Sequence, residues 1–474
     1  MGRTRGGELA ITLGARDLAR LRHSMAGTVV TPEDAEYDAA RRVWNGDIDR
    51  HPAAIARCTT TADVRAALVF ARENSFPIAV RSGGHSFPGH STVDDGIVID
   101  LRLINAVTVD ARTRLAKVGG GAVWSEVDAA TLRHGLAVTG GHVSHTGVAG
   151  LTLGGGIGHL MRSMGLTSDN LVSAEIVTAG GRMLDASASE NPDLFWAIRG
   201  GGGNFGIATQ FEFALHPITE PLYAGLIFYA PESGPELMRL YQEFCERAPD
   251  EVSTILAYLL APPLPFVPED VRFKPGYALV VVATDHGAAE RSLGPLRRFG
   301  PPLFEMLTPM PYAAVQTLFD GANPPGTKGY IKSQYFKEYC EDVIATIHAN
   351  TATMPGGPSQ MLNVQLGGQV ARIPEDASAF SGRSAGFLGM FFGVWDDVAQ
   401  REACVGWARD FSAAMEPVSL GHTYMNLTTD ETEARLRASF GAQKLGRLAA
   451  IKAQYDPDNI FRLNANIRPG GRPS

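Results

Sequence analysis

Residues 139–171 read TGGHVSHTGVAGLTLGGGIGHLMRSMGLTSDNL, the densest glycine run in the chain. Two more glycine turns accompany it: Arg81-Ser82-Gly83-Gly84-His85-Ser86 upstream, and Arg199–Gly206 downstream. Each borders a segment that reads as a strand: Ile78–Val80 before the first, Val172–Thr178 after the second, Ile207–Leu215 after the third. Consecutive residues without Cβ atoms bring bare N–H groups up to a phosphate. One such run is an ordinary turn; three in one stretch point to a large phosphate-bearing ligand. No run supplies G-x-G-x-x-G between strand and helix with an acid about 20 residues on, and G-x-x-x-x-G-K-[ST] is absent. The pattern therefore argues against nicotinamide dinucleotides and P-loop nucleotides.

Working outward, Ala54–Cys58 reads as a strand, and Thr60 and Thr61 open a helix carrying Val64, Ala67, Leu68 and Phe70. With Ile78–Val80 this makes a β-α-β unit ending at the first glycine turn. Gly96–Leu101 and Ala116–Gly121 read as strands, and Trp124–His134 and Asn191–Ala197 as helices. Gly180-Gly181 marks a hairpin turn. Asp34–Trp44 has a mixed helical pattern. From 216 to 418 the texture changes to longer helices and proline-rich loops, which predicts a second domain. Met361–Gln369 alternates as a strand, with Asn363 and Gln365 on one face and Leu362, Val364 and Leu366 on the other.

The 474 residues are 45% hydrophobic and 19% charged, an ordinary globular balance. A net charge of −8 without a basic block disfavours nucleic acid as a partner. The four cysteines lie far apart without C-x-x-C spacing, which fits reduced thiols rather than disulfides or zinc. His142, His145 and His159 sit in a glycine loop with no carboxylate placed to complete a metal site, so none is expected. The N-terminal segment lacks the apolar run of a signal peptide, and no stretch has the length of a membrane span. The expectation is a cytoplasmic protein, monomeric or homodimeric, with no membrane partner.

The motifs together resemble a family. Arg81–Ser86 resembles the R-S/G-G-G-H motif of vanillyl-alcohol-oxidase (PCMH-type) flavoproteins, in their berberine-bridge-enzyme-like branch. Gly147-x-x-Gly150-x-x-Leu153-Gly154-Gly155-Gly156-x-Gly158 and Gly165-Leu166-x-x-Asp169-Asn170-Leu171 resemble its second flavin loop and the segment after it. So do Asn191–Gly206 and the closing stretch from Tyr455 to Ile467. The resemblance implies an α+β fold. A PCMH-type FAD-binding domain of two α/β subdomains would span 1–215, with its core at about 50–215. A substrate domain at 216–418 would cover the flavin with an antiparallel sheet, and 419–474 would return to the FAD domain.

The resemblance further implies FAD bonded covalently through His85. Some relatives add a cysteine bond four residues before the first glycine of the second loop; Val143 stands there, which implies a single tether. The implied cofactor-binding set is Arg81, Ser82, Gly83, Gly84, His85, Ser86, His90, Thr139, Gly140, His145, Thr146, Gly147, Gly150, Leu151, Gly154, Gly155, Gly156, Gly158, Asn170, Ile207, Asn464 and Asn466. Related enzymes carry Tyr-x-Asn-Tyr near the C-terminus; Tyr424-Met425-Asn426-Leu427 keeps all but the final tyrosine. Tyr424, Asn426, Asn363 and Gln365 are the catalytic candidates. The implied reaction is oxidation of a small organic molecule by hydride transfer to flavin N5, with reoxidation by O2. Overall likeness is to bacterial natural-product tailoring flavoenzymes of the enterocin favorskiiase type, and to hydroxynicotine-oxidase-type amine oxidases. A catalytically degenerate flavin binder is the competing reading.

Overall fold

A computed structural model describes residues 13–429 and 432–471; the N-terminal segment read above begins outside them. The glycine turns hang from two sheets. The first has four strands in the order Thr28–Val30, Ala54–Arg57, Ile97–Asp100, Ile78–Arg81. Ala54–Arg57 and Ile78–Arg81 both run parallel to Ile97–Asp100, which lies between them. Their connection is the helix Thr61–Glu73. Thr60 caps it: its hydroxyl accepts from Asp63 N–H, and the Asp63 carboxylate accepts from Thr60 N–H. Val64, Ala67, Leu68 and Ala71 recur at helical spacing and are buried against the sheet.

The second sheet is antiparallel, in the order Val107–Asp110, Leu115–Gly119, Ile207–Ala214, Leu171–Val177, Met183–Ser187. Leu171–Val177 and Met183–Ser187 form the hairpin expected around Gly180-Gly181. The helix Glu433–Tyr455, kinked at Gly441, packs Leu448 and Ile451 into this sheet's core beside Phe205 and Trp196. Inside that core Lys452 donates to Asp456, to the carbonyl of Asn204 and to that of Phe461. One buried ammonium thus joins the third glycine turn to the C-terminal tail.

Seven antiparallel strands drawn from 222–395 form the third sheet, in the order Phe304–Met310, Leu222–Tyr229, Pro275–Ala283, Val252–Leu260, Gln360–Gln365, Phe387–Trp395, Lys328–Phe336. Four helices cover one face: Gly234–Arg247, His286–Arg298, Glu341–Thr351 and Arg401–Met415. The opposite face looks toward the glycine turns and packs with Trp44, Phe87 and Tyr424. Arg383 and Asp169, both almost wholly buried and 2.6 Å apart, link the segment before Phe387 to the segment after the second turn.

The structure changes two local expectations. The helix expected over Asp34–Trp44 is confined to Tyr37–Arg41, and Trp44 leaves it to face the third sheet. The alternating strand ends at Gln365 rather than Gln369, because Gly367 and Gly368 take positive φ and turn the chain into the short helix Gln369–Arg372.

Candidate active site

The three glycine turns and the open face of the seven-stranded sheet enclose a cavity of about 380 Å³. The first two turns meet backbone to backbone. A Cβ on Gly83 would lie 2.3 Å from Gly147 N, and one on Gly147 would lie 2.2 Å from Gly83 N. Behind the first turn, Arg81 is buried and donates to the carbonyls of Ala40, Arg41 and Ser91. Burial outweighs the attraction of Asp100 and pulls its pKa down to about 10. The turn is thereby fixed while four consecutive backbone N–H groups, those of Gly83, Gly84, His85 and Ser86, donate to no acceptor among the described residues. Ser82 Oγ, Ser91 Oγ and Asn464 Oδ1, in the cavity wall, are likewise buried without a partner among the described residues.

His85 is held from two sides. Its ring stacks on Trp44 with centroids 5.2 Å apart, and its Nε2 lies 2.8 Å from His145 Nδ1. Burial drives its pKa down to about 3, and the two opposed effects of His145, electrostatic and through a backbone hydrogen bond, are smaller. The imidazole is therefore neutral at physiological pH. The loop carrying His142, Val143 and His145 is pinned from across the cavity by Asp320, which accepts from Ser144 N–H and Oγ–H.

Tyr424 is 3% exposed, and its hydroxyl accepts from Gly156 N–H (3.1 Å) and Asn426 Nδ2 (3.0 Å). Burial raises its pKa to about 12, so it stays a neutral phenol. Asn426 takes the space that a Cβ on Gly154 would fill, 2.1 Å from its Oδ1, and also donates to the carbonyl of Leu151.

Many of the residues chosen from sequence line this cavity: Ser82, Gly83, Gly84, His85, Ser86, His90, Thr146, Gly147, Gly150, Leu151, Gly154, Ile207, Asn464, Tyr424 and Asn426. Others do not. Arg81 braces the first turn from behind, and His145 reaches the cavity only through His85. Thr139 donates to the carbonyl of Gly165, and Gly140 packs against Trp124. Gly155, Gly156 and Gly158 turn outward against Phe380, Thr167 and the carbonyl of Gly140. Asn170 donates to the carbonyls of Met164 and Leu166, and Asn466, half-buried with its Oδ1 enclosed, does not line the cavity.

Asn363 and Gln365 require a correction. Asn363 donates to the Tyr339 hydroxyl (2.9 Å) and Gln365 accepts from Thr254 (2.7 Å), both on the helix-covered side of the sheet. The strand alternates as expected, but its cavity face carries Gln360 and Leu362. Ile255, Leu388, Met390 and Phe392 extend that face across neighbouring strands, with Trp44, Phe87 and Phe319 beside it. Sequence reading missed this group. Its only sequence signal is the alternation, which does not tell one buried face from the other.

The comparisons with known proteins agree with this geometry. Residues 52–187 match the model of a FAD binding domain, and 423–468 the model described as berberine and berberine like. A FAD-linked oxidoreductase of Dictyostelium discoideum is 32% identical over 454 residues, covering 94% of this chain and 95% of the relative. The chain belongs to the berberine-bridge-enzyme-like FAD-linked oxidoreductases. Within this family, (R)-6-hydroxynicotine oxidase of Paenarthrobacter nicotinovorans is 31% identical, covering 94% of this chain and 98% of the relative. The crystal structure of 6-hydroxy-D-nicotine oxidase from Arthrobacter nicotinovorans superposes with a TM-score of 0.84 at 28% identity, covering 94% and 99% of the two chains.

The cavity of this FAD-linked oxidoreductase suits its family's cofactor. Four free N–H groups in one turn form an anion cradle, and the unpartnered Ser82, Ser91 and Asn464 atoms supply directional bonds to a polar chain. None of the four cysteines lines the cavity, and Val143 does. Among the described residues, no group of three or more His, Cys, Asp or Glu is placed to hold a metal ion, and no helix is long and apolar enough to cross a membrane.

Proposed function

We propose that this chain is an oxidase of a small organic molecule, with FAD tethered once, through His85, and dioxygen as the electron acceptor. The observation that carries the reading is the clamped His85 ring. When Nε2–H donates to His145 Nδ1, the lone pair stays on Nδ1, the nitrogen left to bond the flavin. Depression of its pKa keeps that lone pair unprotonated, and stacking on Trp44 fixes its direction. Bound FAD supplies a hydride acceptor that is reoxidised by O2.

The rest of the chemistry falls to the chain's own side chains. Both acceptor positions of the Tyr424 hydroxyl are taken by Gly156 and Asn426, so its proton is free to be donated into the cavity. Tyr424 orients a substrate as a hydrogen-bond donor and is not a base. Leu427, also in the wall, takes no proton. Among the described residues no carboxylate lines the cavity, which fits a reaction that proceeds without a strong side-chain base.

Oxidation of a neutral amine, whose nitrogen lone pair drives hydride departure, meets that condition. It is the second reading, and the likeness to 6-hydroxynicotine oxidase over 94% of the chain favours it. A place in bacterial secondary metabolism and a cytoplasmic location belong to the same proposal.

Acid precipitation tests the tether. Flavin should pellet with wild-type protein, and His85→Ala should leave it in the supernatant. Wild-type flavin recovered in the supernatant overturns the covalent assignment. Reduced holoenzyme should reoxidise in air and release peroxide; a flavin that stays reduced rules out an oxidase.

A further inference from the structure

The sheet side of the cavity differs in chemistry from the glycine side. Ile255, Leu362, Leu388, Met390 and Phe392 form its surface, and Gln360 is the one polar side chain on the same strands that reaches the cavity. Gln360 is 9% exposed, and its side chain makes no hydrogen bond among the described residues. The lining also includes His142, half-buried and neutral because burial holds its pKa near 4. Among the described residues, no Asp, Glu, Lys or Arg contributes to the lining of the cavity.

These facts discriminate between substrate classes. A sugar presents a hydroxyl on nearly every carbon. Each hydroxyl buried without a partner weakens binding, and the sheet face offers one amide. An ammonium or carboxylate enters without a counter-charge, and several kcal/mol of hydration are lost per ion. A flat, uncharged ring system loses little water and covers the aliphatic and aromatic face, with one polar substituent for the amide.

We infer that the substrate is an uncharged, largely apolar ring compound whose single hydroxyl or carbonyl is bound by the Gln360 amide, and that carbohydrates and fixed ions are excluded. This rests on the oxidase reading above, since that reading makes the cavity a substrate site. The amide can donate to a carbonyl or accept from a hydroxyl, so both substituents share one anchor.

The test is calorimetric titration of flavin-loaded protein with 2-naphthol, 2-naphthoate, 2-naphthylmethylammonium and cellobiose. The expected order places 2-naphthol at least tenfold tighter than either ion, with no heat from cellobiose. Gln360→Leu should weaken 2-naphthol about fivefold, the worth of one neutral hydrogen bond of about 1 kcal/mol. Gln360→Glu should reverse the order and favour the ammonium probe. Cellobiose or an ion binding as tightly as 2-naphthol overturns the inference, as does a Gln360→Glu protein with the wild-type order. Flavin content, read from the visible spectrum of the same samples, reports separately on the cofactor. Protein without flavin defeats the FAD reading, whereas flavin-loaded protein with the wrong ligand order defeats only the substrate class.

Discussion

The glycine turns and the sheet that faces them close one cavity by opposite means. The turns present backbone: Gly83 and Gly147 approach so closely that neither has room for a methyl group, and the N–H groups of 83–86 point to no acceptor among the described residues. The sheet presents side chains, and its backbone is consumed by pairing on both sides of Gln360–Gln365. Backbone groups are the same whatever the residue, so the turns hold what every member of the family holds. Side chains vary freely on a fixed ladder, so the sheet is where one member's substrate is set. What the halves share, among the described residues, is the lack of an Asp, Glu, Lys or Arg in the lining.

The largest effect should come from testing the rigidity of the turns. Gly83→Ala places its Cβ 2.3 Å from Gly147 N, against backbone that cannot rotate away. The variant is expected to purify without flavin and with a lowered melting temperature. Met390→Leu, a volume-conserving change on the sheet side, should keep its flavin and lose less than about 1.5 kcal/mol. If Gly83→Ala loads flavin normally, the contrast between a backbone-built half and a side-chain-built half is wrong.

The same contrast explains what the sequence disclosed. A turn built from backbone requires glycine, and glycine at fixed spacing is visible in a string of letters, so Arg81–Ser86 and Gly147–Gly158 announced the cofactor side. The spacing does not say which glycines face inward: Gly154 lines the cavity while Gly155 and Gly156 back onto Phe380 and Thr167. On the sheet, polar Asn363 and Gln365 pointed to the wrong face. A half-exposed strand carries polar residues toward water or ligand, but this one is central and buried on both sides. Its polar pair serves Tyr339 and Thr254 under the helices, and its cavity face is nearly all apolar. Trp44 and Phe319 reach the cavity through tertiary packing, which no local pattern records.

The histidines around the cavity have a consequence for pH. His90 on the turn side and His142 on the loop opposite have pKa values near 4 because burial penalises the imidazolium, and burial likewise holds the enclosed His159 well below the usual imidazole value. In the unfolded chain each returns to about 6.5. Between these values the unfolded state binds more protons, so stability is intact above about pH 6.5 and falls as the pH drops toward 4. Each group contributes up to about 1.4 kcal/mol per pH unit, and the three together about 4. Thermal midpoints of the holoenzyme from pH 7 to pH 5 measure this. A midpoint unchanged over that range means these histidines are charged, or exposed, in the folded protein.

The smallest expected effect bears most directly on the faces of the central strand. Asn363→Ala removes the donor to the Tyr339 hydroxyl inside the helix-covered core, so it should cost about 1–3 kcal/mol of stability. Because Asn363 does not touch the cavity, the flavin spectrum and KM should stay at wild-type values. Three residues earlier and on the opposite face, Gln360→Leu should do the reverse, weakening ligand binding while the melting temperature holds. Both variants sit on one short strand, so backbone distortion would move both properties in both proteins. Crossed effects follow only if the two side chains project to different faces. A raised KM in Asn363→Ala at unchanged stability would place the polar face of this strand toward the cavity and return substrate contact to Asn363 and Gln365.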